Sequence, residues 1–221
     1  MFTVVLNQHG VFLVDQDGNT ISRADGTAIG NAEALIVAGK RLGGVVTTSK
    51  QSEELLRKGG FNPMPLAEAK QPLDVYVDGA DEVDPRFNLI KGGGGALTSE
   101  KIVANNAKKF ICIVDESKLV QKLGKFPLPV EVISSAVPSI SRIFSNEYNA
   151  IPREREGFTE HGNRIIDVAG LEIESPENLE RELNQIPGVV TVGLFCKLKP
   201  YSCLVGYDEE LKEIFKKDVT N

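Results

Sequence analysis

The chain has 221 residues, 41% hydrophobic, 25% charged and 6% aromatic, with 25 Lys and Arg against 31 Asp and Glu for a formal net charge of −6. That length and apolar fraction suffice for one large domain or two small ones, while the acidic balance lacks the basic footprint of a nucleic-acid binder. Cys112, Cys196 and Cys203 contain no C-x-x-C pair, and His9 and His161 lie far apart, so neither a disulfide framework nor a metal site is expected. The first twenty residues lack the basic-then-apolar plan of a signal peptide, and no apolar run approaches a membrane span. A cytoplasmic protein without a membrane partner is expected.

In chain order, Phe2–Leu6 and Val11–Val14 read as short strands, each followed by a polar turn cluster. A helix is predicted from about Asn31 to Leu42, closed by Gly43-Gly44. A strand at Val45–Thr47 and a helix from about Ser52 to Lys58, closed by Gly59-Gly60, follow. Asp74–Val77 and Phe110–Val114 are apolar runs that each meet an aspartate, as buried parallel strands do. Between them, Lys91-Gly92-Gly93-Gly94-Gly95 opens a helix from about Leu97 to Lys109. This rhythm predicts crossover units and a largely parallel sheet.

From Leu128 the pattern changes. A strand at Val130–Ile133, a helix at Ser139–Asn146, and extended segments at Arg164–Val168 and Leu171–Ile173 come in turn. A helix capped by Ser175-Pro176 runs to about Asn184, and the strand Val189–Phe195 completes a split βαβ, ferredoxin-like order. Tyr201–Tyr207 reads as a strand returning to the main sheet, and Glu209–Lys217 as a closing helix. The fold expected is thus a Rossmann-like α/β core over residues 1–128 and 201–221. A smaller α+β lid or assembly domain is expected over 129–200.

Chemistry concentrates in two stretches. Asp78, Asp81, Glu82 and Asp84 crowd the exit of the DVYV strand, where ligands of open α/β sheets bind. Gly79 permits a sharp turn there. Lys91 precedes the four glycines, so its ammonium can meet a polar substrate oxygen, and Glu100 falls in the first turn of the next helix. Helix-end N–H groups stabilise a carboxylate at that position, whereas burial would raise its pKa toward that of a general base. Each feature alone has a plain structural reading: the acids as a solvated loop, Glu100 as a favourable first-turn residue. The glycine run fits neither G-x-G-x-x-G nor the P-loop pattern. Together, carboxylates and a lysine around an anion-friendly loop suit proton abstraction next to a carbonyl.

Several motifs occur in order: Y-V-D-G-A-D-E at 76–82, K-G-G-G-G-A-L-T-S-E-K at 91–101, F-I-C-I-V-D-E-S-K at 110–118 and G-K-F-P-L-P-V-E-V-I at 124–133. H-G-N-R-I-I-D-V at 161–168 and I-P-G-V-V-T-V-G-L-F at 186–195 follow. From about Val45 onward the chain resembles the A-type ribose-5-phosphate isomerases. The resemblance implies interconversion of D-ribose 5-phosphate and D-ribulose 5-phosphate, a step of the pentose phosphate pathway, through a cis-enediolate with no metal or organic cofactor. It implies Glu100 as proton acceptor, Asp78 and Asp81 for ring opening and hydroxyl proton transfer, and Lys91 as the cation that steadies the enediolate. Gly79, Ala80, Gly92, Gly93, Gly94 and Lys118 are implied as substrate contacts, and a homodimer or homotetramer as the assembly.

The N-terminal region departs from the family pattern. Where relatives carry G-x-G-T-G-S-T to hold phosphate, this chain reads Ile21-Ser22-Arg23-Ala24-Asp25-Gly26-Thr27-Ala28. Thr27 aligns with the last threonine of that loop and is the expected phosphate contact, while Asp25 would bring a like charge to the phosphate. That departure motivates an alternative, a sugar-phosphate-binding paralogue with little or no isomerase activity. Cys112 reads as a buried small hydrophobe, and neither Cys196 nor Cys203 as a nucleophile. His161 reads as a turn residue.

Overall fold

The computed structural model describes residues 3–7, 10–14, 20–24, 44–207 and 211–215. The predicted helix at 31–42, His9, Asp25 and Thr27 lie outside the described residues. Packing of the chain separates two units, one of Met1–Gly79, Val103–Lys118 and Pro200–Asn221, the other of Ala80–Ile102 and Leu119–Lys199.

In the first unit, β1 (Thr3–Asn7), β2 (Gly10–Val14) and β3 (Thr20–Ala24) form an antiparallel meander. The third strand was not expected; it absorbs Ile21–Ala24, part of the segment that aligns with the phosphate loop. Helix α1 spans Lys50–Lys58. Ser49 caps it by accepting the Ser52 N–H at 3.2 Å, and Glu53 near its start and Arg57 and Lys58 near its end complement the helix dipole. The strand predicted at Val45–Thr47 is absent: the Val45 carbonyl accepts instead from Met64 N–H at 2.9 Å, in the loop after α1.

The main sheet of this unit has the order β14-β13-β7-β4, built from β4 (Tyr76–Asp78), β7 (Phe110–Asp115), β13 (Ser202–Gly206) and β14 (Leu211–Phe215). β4 and β13 both run parallel to β7. The parallel arrangement follows from apolar strands buried on both faces, as the unbroken burial of β13 shows. The closing helix predicted at Glu209–Lys217 is instead a strand at Leu211–Phe215, antiparallel to β13. Cross-strand pairing overrides the local helical pattern there.

In the second unit, β8 (Leu128–Val132), α3 (Val137–Glu147), β9 (Ile151–Glu154), β10 (Arg164–Ala169), α4 (Pro176–Leu183) and β11 (Val189–Val192) form a βαββαβ unit with sheet order β11-β8-β10-β9. This is the ferredoxin-like arrangement expected, with every strand pair antiparallel. Strand β9 went unpredicted because it is an edge strand whose residues alternate neither in polarity nor in burial. Leu171 and Ile173 bury their side chains but form no strand. The core of the unit includes Val130, Val132, Ile140, Phe144, Ile166, Leu183 and Val192.

A small second sheet of this unit joins β12 (Leu194–Phe195), β6 (Leu89–Ile90) and β5 (Glu82–Val83). The expected single strand Val189–Phe195 therefore breaks at Gly193, whose neighbours belong to different sheets. Gly193 donates to the Pro129 carbonyl at 2.7 Å and accepts from Lys91 N–H at 2.9 Å. A Cβ at Gly193 would lie 2.3 Å from the Lys91 carbonyl, so this backbone crossing requires glycine.

Helix α2 (Leu97–Asn105) is anchored in this unit through Lys101. The Lys101 ammonium donates to Glu180 at 3.0 Å and to the carbonyls of Val192 and Leu194 at 2.8 and 2.7 Å, which uses all three of its N–H groups. It also lies 4.7 Å from the centroid of the Phe195 ring. Burial pulls the Lys101 pKa below its ordinary value, while Glu180 opposes that pull. The other Glu180 oxygen accepts the N–H groups of Cys196 and Lys197 at 3.0 and 2.9 Å. Removing one partner of a buried pair leaves an uncompensated charge and costs about 3–5 kcal/mol. Glu180→Ala should therefore lower Tm by on the order of 10 °C. The double change Lys101→Met with Glu180→Leu should recover only part of that loss, because two backbone N–H groups stay unsatisfied; full recovery in a thermal melt would refute this account.

Candidate active site

Asp78 ends β4 in the first unit. Strand alternation puts it on the same face as Tyr76, with Val77 pointing the other way and exposed. Tyr76 packs its ring 5.0 Å from that of Phe110 and donates its hydroxyl to Asp78. The Gly79 N–H also donates to Asp78, at 2.8 Å, so the carboxylate is buried with both oxygens engaged. Lys118 belongs to this unit too, half-buried at the end of a single 3₁₀ turn (Glu116–Lys118) that follows β7. The Asp115 carboxylate organises that turn by accepting the Ser117 N–H at 2.9 Å.

The second unit holds Ala80, Asp81, Lys91, the glycine loop and Glu100. Asp81 is half-buried, and its backbone N–H donates to the Ile90 carbonyl at 2.8 Å. Its carboxylate accepts the Gly93 N–H at 2.8 Å, tying the D-G-A-D turn to the glycine loop. Lys91 leaves β6 and is 4% exposed. Its ammonium lies 3.2 Å from Glu100 Oε2 and 5.6 Å from the centroid of the Phe195 ring. Glu100 sits in the first turn of α2, with its N–H donated to the Ala96 carbonyl at 2.9 Å. The K-G-G-G-G-A-L-T-S-E-K motif thus folds back to bring its own cation and carboxylate into direct contact, largely out of water.

Two of the four acids at the strand exit have structural duties. Glu82 is buried and accepts the N–H groups of Gly124 and Phe126 at 2.8 and 2.6 Å, which holds the 124–126 loop. Asp84 folds its own turn, accepting from Arg86 N–H, Asn88 N–H and the Asn88 amide.

Sequence reasoning missed three groups around the loop. Arg155 donates to the carbonyls of Gly92 and Gly93, each at 3.1 Å, and pairs with Asp167. Glu131, fully buried, accepts from Thr98, Thr159 and Asn163, joining the first turn of α2 to the segment after β9. His161 has a partner after all, its Nε2 lying 2.9 Å from the Ser99 hydroxyl. The periodicity of β9 carried no trace of these contacts; only the polar cluster 153–164 could have hinted at them. The cysteines are buried, and burial pushes the Cys196 thiol well above its ordinary range. Cys112 beside it, together with burial, does the same to Cys203. Among the described residues no three or more His, Cys, Asp or Glu side chains gather as a metal-binding group, and no helix is long and apolar enough to cross a membrane.

A mostly parallel α/β sheet, a βαββαβ unit and a buried lysine–glutamate pair beside a glycine loop are features of an α/β enzyme. A family model described as ribose 5-phosphate isomerase A (phosphoriboisomerase A) matches residues 44–210. The chain is 44% identical over 200 residues to ribose-5-phosphate isomerase A of Leptothrix cholodnii, covering 90% of each chain. It is similar to the crystal structure of ribose 5-phosphate isomerase A from Neisseria gonorrhoeae, with a TM-score of 0.80 and 45% identity over 84% of this chain and 82% of that one. It also resembles a solved D-ribose-5-phosphate isomerase in complex with phospho-erythronic acid, with a TM-score of 0.73 and 42% identity over 77% and 76% of the two chains. The chain belongs to the ribose 5-phosphate isomerase A family.

The glycine loop itself allows a steric test. A Cβ at Gly93 would lie 2.6 Å from Asp81 Oδ1, whereas one at Gly94 meets nothing within 4 Å. Gly93→Ala must displace the Asp81 carboxylate or the loop, an overpacking cost of roughly 1–3 kcal/mol. Gly94→Ala should leave Tm within about 1 °C of the wild type while Gly93→Ala lowers it by several degrees. Equal melting temperatures for the two variants would contradict the geometry.

Proposed function

We propose that the chain interconverts D-ribose 5-phosphate and D-ribulose 5-phosphate by proton transfer through an enediolate. The observation that carries this reading is the contact of Lys91 with Glu100 at 3.2 Å, both shielded from bulk water. Aldose and ketose are isomers, so the reaction moves a proton between two carbons with no net change in electrons and calls for no redox partner. From aldose to ketose, the Glu100 carboxylate takes the proton from C2 of the open-chain sugar. Electrons move toward the C1 carbonyl oxygen, and the charge that develops there is met by the Lys91 ammonium. Glu100 then returns the proton to C1 while the C2 hydroxyl proton passes to the C1 oxygen, leaving a carbonyl at C2 and a hydroxyl at C1. Such a pair works best where water is excluded, because the attraction between ammonium and developing oxyanion grows as the local dielectric falls.

Asp78 and Asp81 serve the hydroxyl protons in this reading, including the one that moves as the sugar ring opens. Their prior hydrogen bonds support it, since a carboxylate already oriented by Tyr76 and Gly79, or by Gly93, loses little freedom on meeting substrate. Gly79, Ala80 and Gly92 to Gly94 contact the sugar, and Lys118 and Thr27 also reach the ligand. The structural relative bound to phospho-erythronic acid, a phosphorylated sugar acid, supports a phosphorylated open-chain substrate. A binding-only paralogue is not favoured, since binding needs no cation placed against a buried carboxylate. The enzyme works as a homodimer or homotetramer in the cytoplasm, free of metal or organic cofactor; the family resemblance is what supports this.

Glu100→Gln removes a counter-charge from buried Lys91, so it should lower Tm by several degrees while the folded protein still binds substrate. It should lose at least 10²-fold in kcat, as general base catalysis contributes about 10²–10⁴-fold. An unchanged kcat in a coupled ribose 5-phosphate assay would remove Glu100 from this role. Lys91→Met keeps the buried stem and deletes the charge. It should lower kcat by roughly 10²–10³-fold and raise KM far less, because the interaction strengthens as charge develops. An effect confined to KM would show that Lys91 binds only the ground state.

A further inference from the structure

Arg155 lies beyond the reaction just described, yet all three of its guanidinium nitrogens are bonded. Nε and Nη2 grip the two oxygens of Asp167, a paired fork that fixes the plane of the group. Nη1 takes the carbonyls of both Gly92 and Gly93. In a trans peptide the C=O and N–H share a plane and point in opposite directions. Holding the Gly92 carbonyl therefore aims the Gly93 N–H away from Arg155, and Asp81 receives it there at 2.8 Å. The same peptide plane is clamped at both ends, by a guanidinium on its oxygen and a carboxylate on its nitrogen.

A run of four glycines has no side chains to set its conformation and little backbone preference of its own. The loop closes one turn of its own, the Gly95 N–H donating to the Gly92 carbonyl at 2.9 Å, but that bond does not set how the turn faces the rest of the fold. Arg155 is the side chain that reaches two of its consecutive carbonyls from outside. Asp167 offsets the Arg155 charge, so the contribution at the loop is one of direction more than of net field. The first turn of α2 is secured separately, through Thr98 to Glu131 and Ser99 to His161. Losing Arg155 would then loosen the loop while leaving the helix that carries Glu100 in place.

We propose that Arg155 is a positioning residue for the isomerisation: by fixing the peptide groups of the glycine loop it orients the Asp81 carboxylate and the backbone from which Lys91 projects. This rests on the function proposed above. The test uses the full chain, with kcat and KM for ribose 5-phosphate and Tm measured for the wild type, Arg155→Lys and Arg155→Ala. Lysine keeps the charge and most of the stem, but its N–H groups diverge from one atom, so it cannot make the planar two-point fork on Asp167 while another nitrogen reaches the Gly92 and Gly93 carbonyls. Arg155→Lys should lower kcat by on the order of 10–100-fold with KM within about threefold and Tm within a few degrees of the wild type. Millimolar guanidinium, well below denaturing levels, should raise kcat of Arg155→Ala several-fold and leave the wild type unchanged. Wild-type kcat in Arg155→Lys, a loss confined to KM, a loss that merely tracks a collapse in Tm, or no response to guanidinium each overturns the inference. A wild-type chain that does not convert ribose 5-phosphate overturns the proposed function itself, and the inference with it.

Discussion

A lysine withdrawn from water keeps its charge only if each N–H finds an acceptor and a counter-charge stands close by. Lys101 meets that condition with Glu180 and two backbone carbonyls, and much of the second unit is arranged to make this possible. Helix α2 must present Lys101 to the end of β11 and the start of β12. Helix α4 must bring Glu180 to the same point, where its other oxygen satisfies the backbone of Cys196 and Lys197. Because Glu100 precedes Lys101 by one residue, the anchor also determines where the proposed base stands. The buried pair that contributes stability and the one proposed to act on substrate are neighbours on a single helix.

Phe195 links the two. Its ring has the Lys101 ammonium 4.7 Å and the Lys91 ammonium 5.6 Å from its centroid, so one aromatic residue of β12 is close to both cations. The break at Gly193 makes this possible. Continuing β11 as a regular strand would keep Phe195 in the βαββαβ sheet, whereas the crossing lets Leu194 and Phe195 pair with Ile90 and Leu89. The same crossing accepts the Lys91 N–H, so the backbone that supports the ring also positions the lysine.

The motifs were readable because their chemistry is local. Asp78 and Asp81 are separated only by Gly79 and Ala80, and Lys91 and Glu100 flank one loop and one helical turn. What escaped was long-range. Arg155 meets a carbonyl 63 positions away, and Glu131 collects donors from Thr98, Thr159 and Asn163. Nothing in the composition of either neighbourhood announces such contacts. Nor could composition tell Glu82 and Asp84 apart from their neighbours: an acid at a strand exit looks alike whether it faces a crevice or the backbone of a loop.

From sequence alone came the strands β4, β7, β8, β10 and β11, the helices between them, and the side chains able to move a proton, whereas the edge strand β9 did not. These follow from hydrophobic period, turn chemistry and side-chain type, properties each segment carries by itself. Tertiary structure alone decided that Leu211–Phe215 is a strand, because only the open edge of β13 gives its peptide groups partners. It decided that Val189–Phe195 divides between two sheets, because only the nearness of the Lys91 backbone excludes a side chain at position 193. It likewise decided how the glycine loop is oriented, since a segment without side chains takes its direction from groups that reach it from elsewhere in the fold.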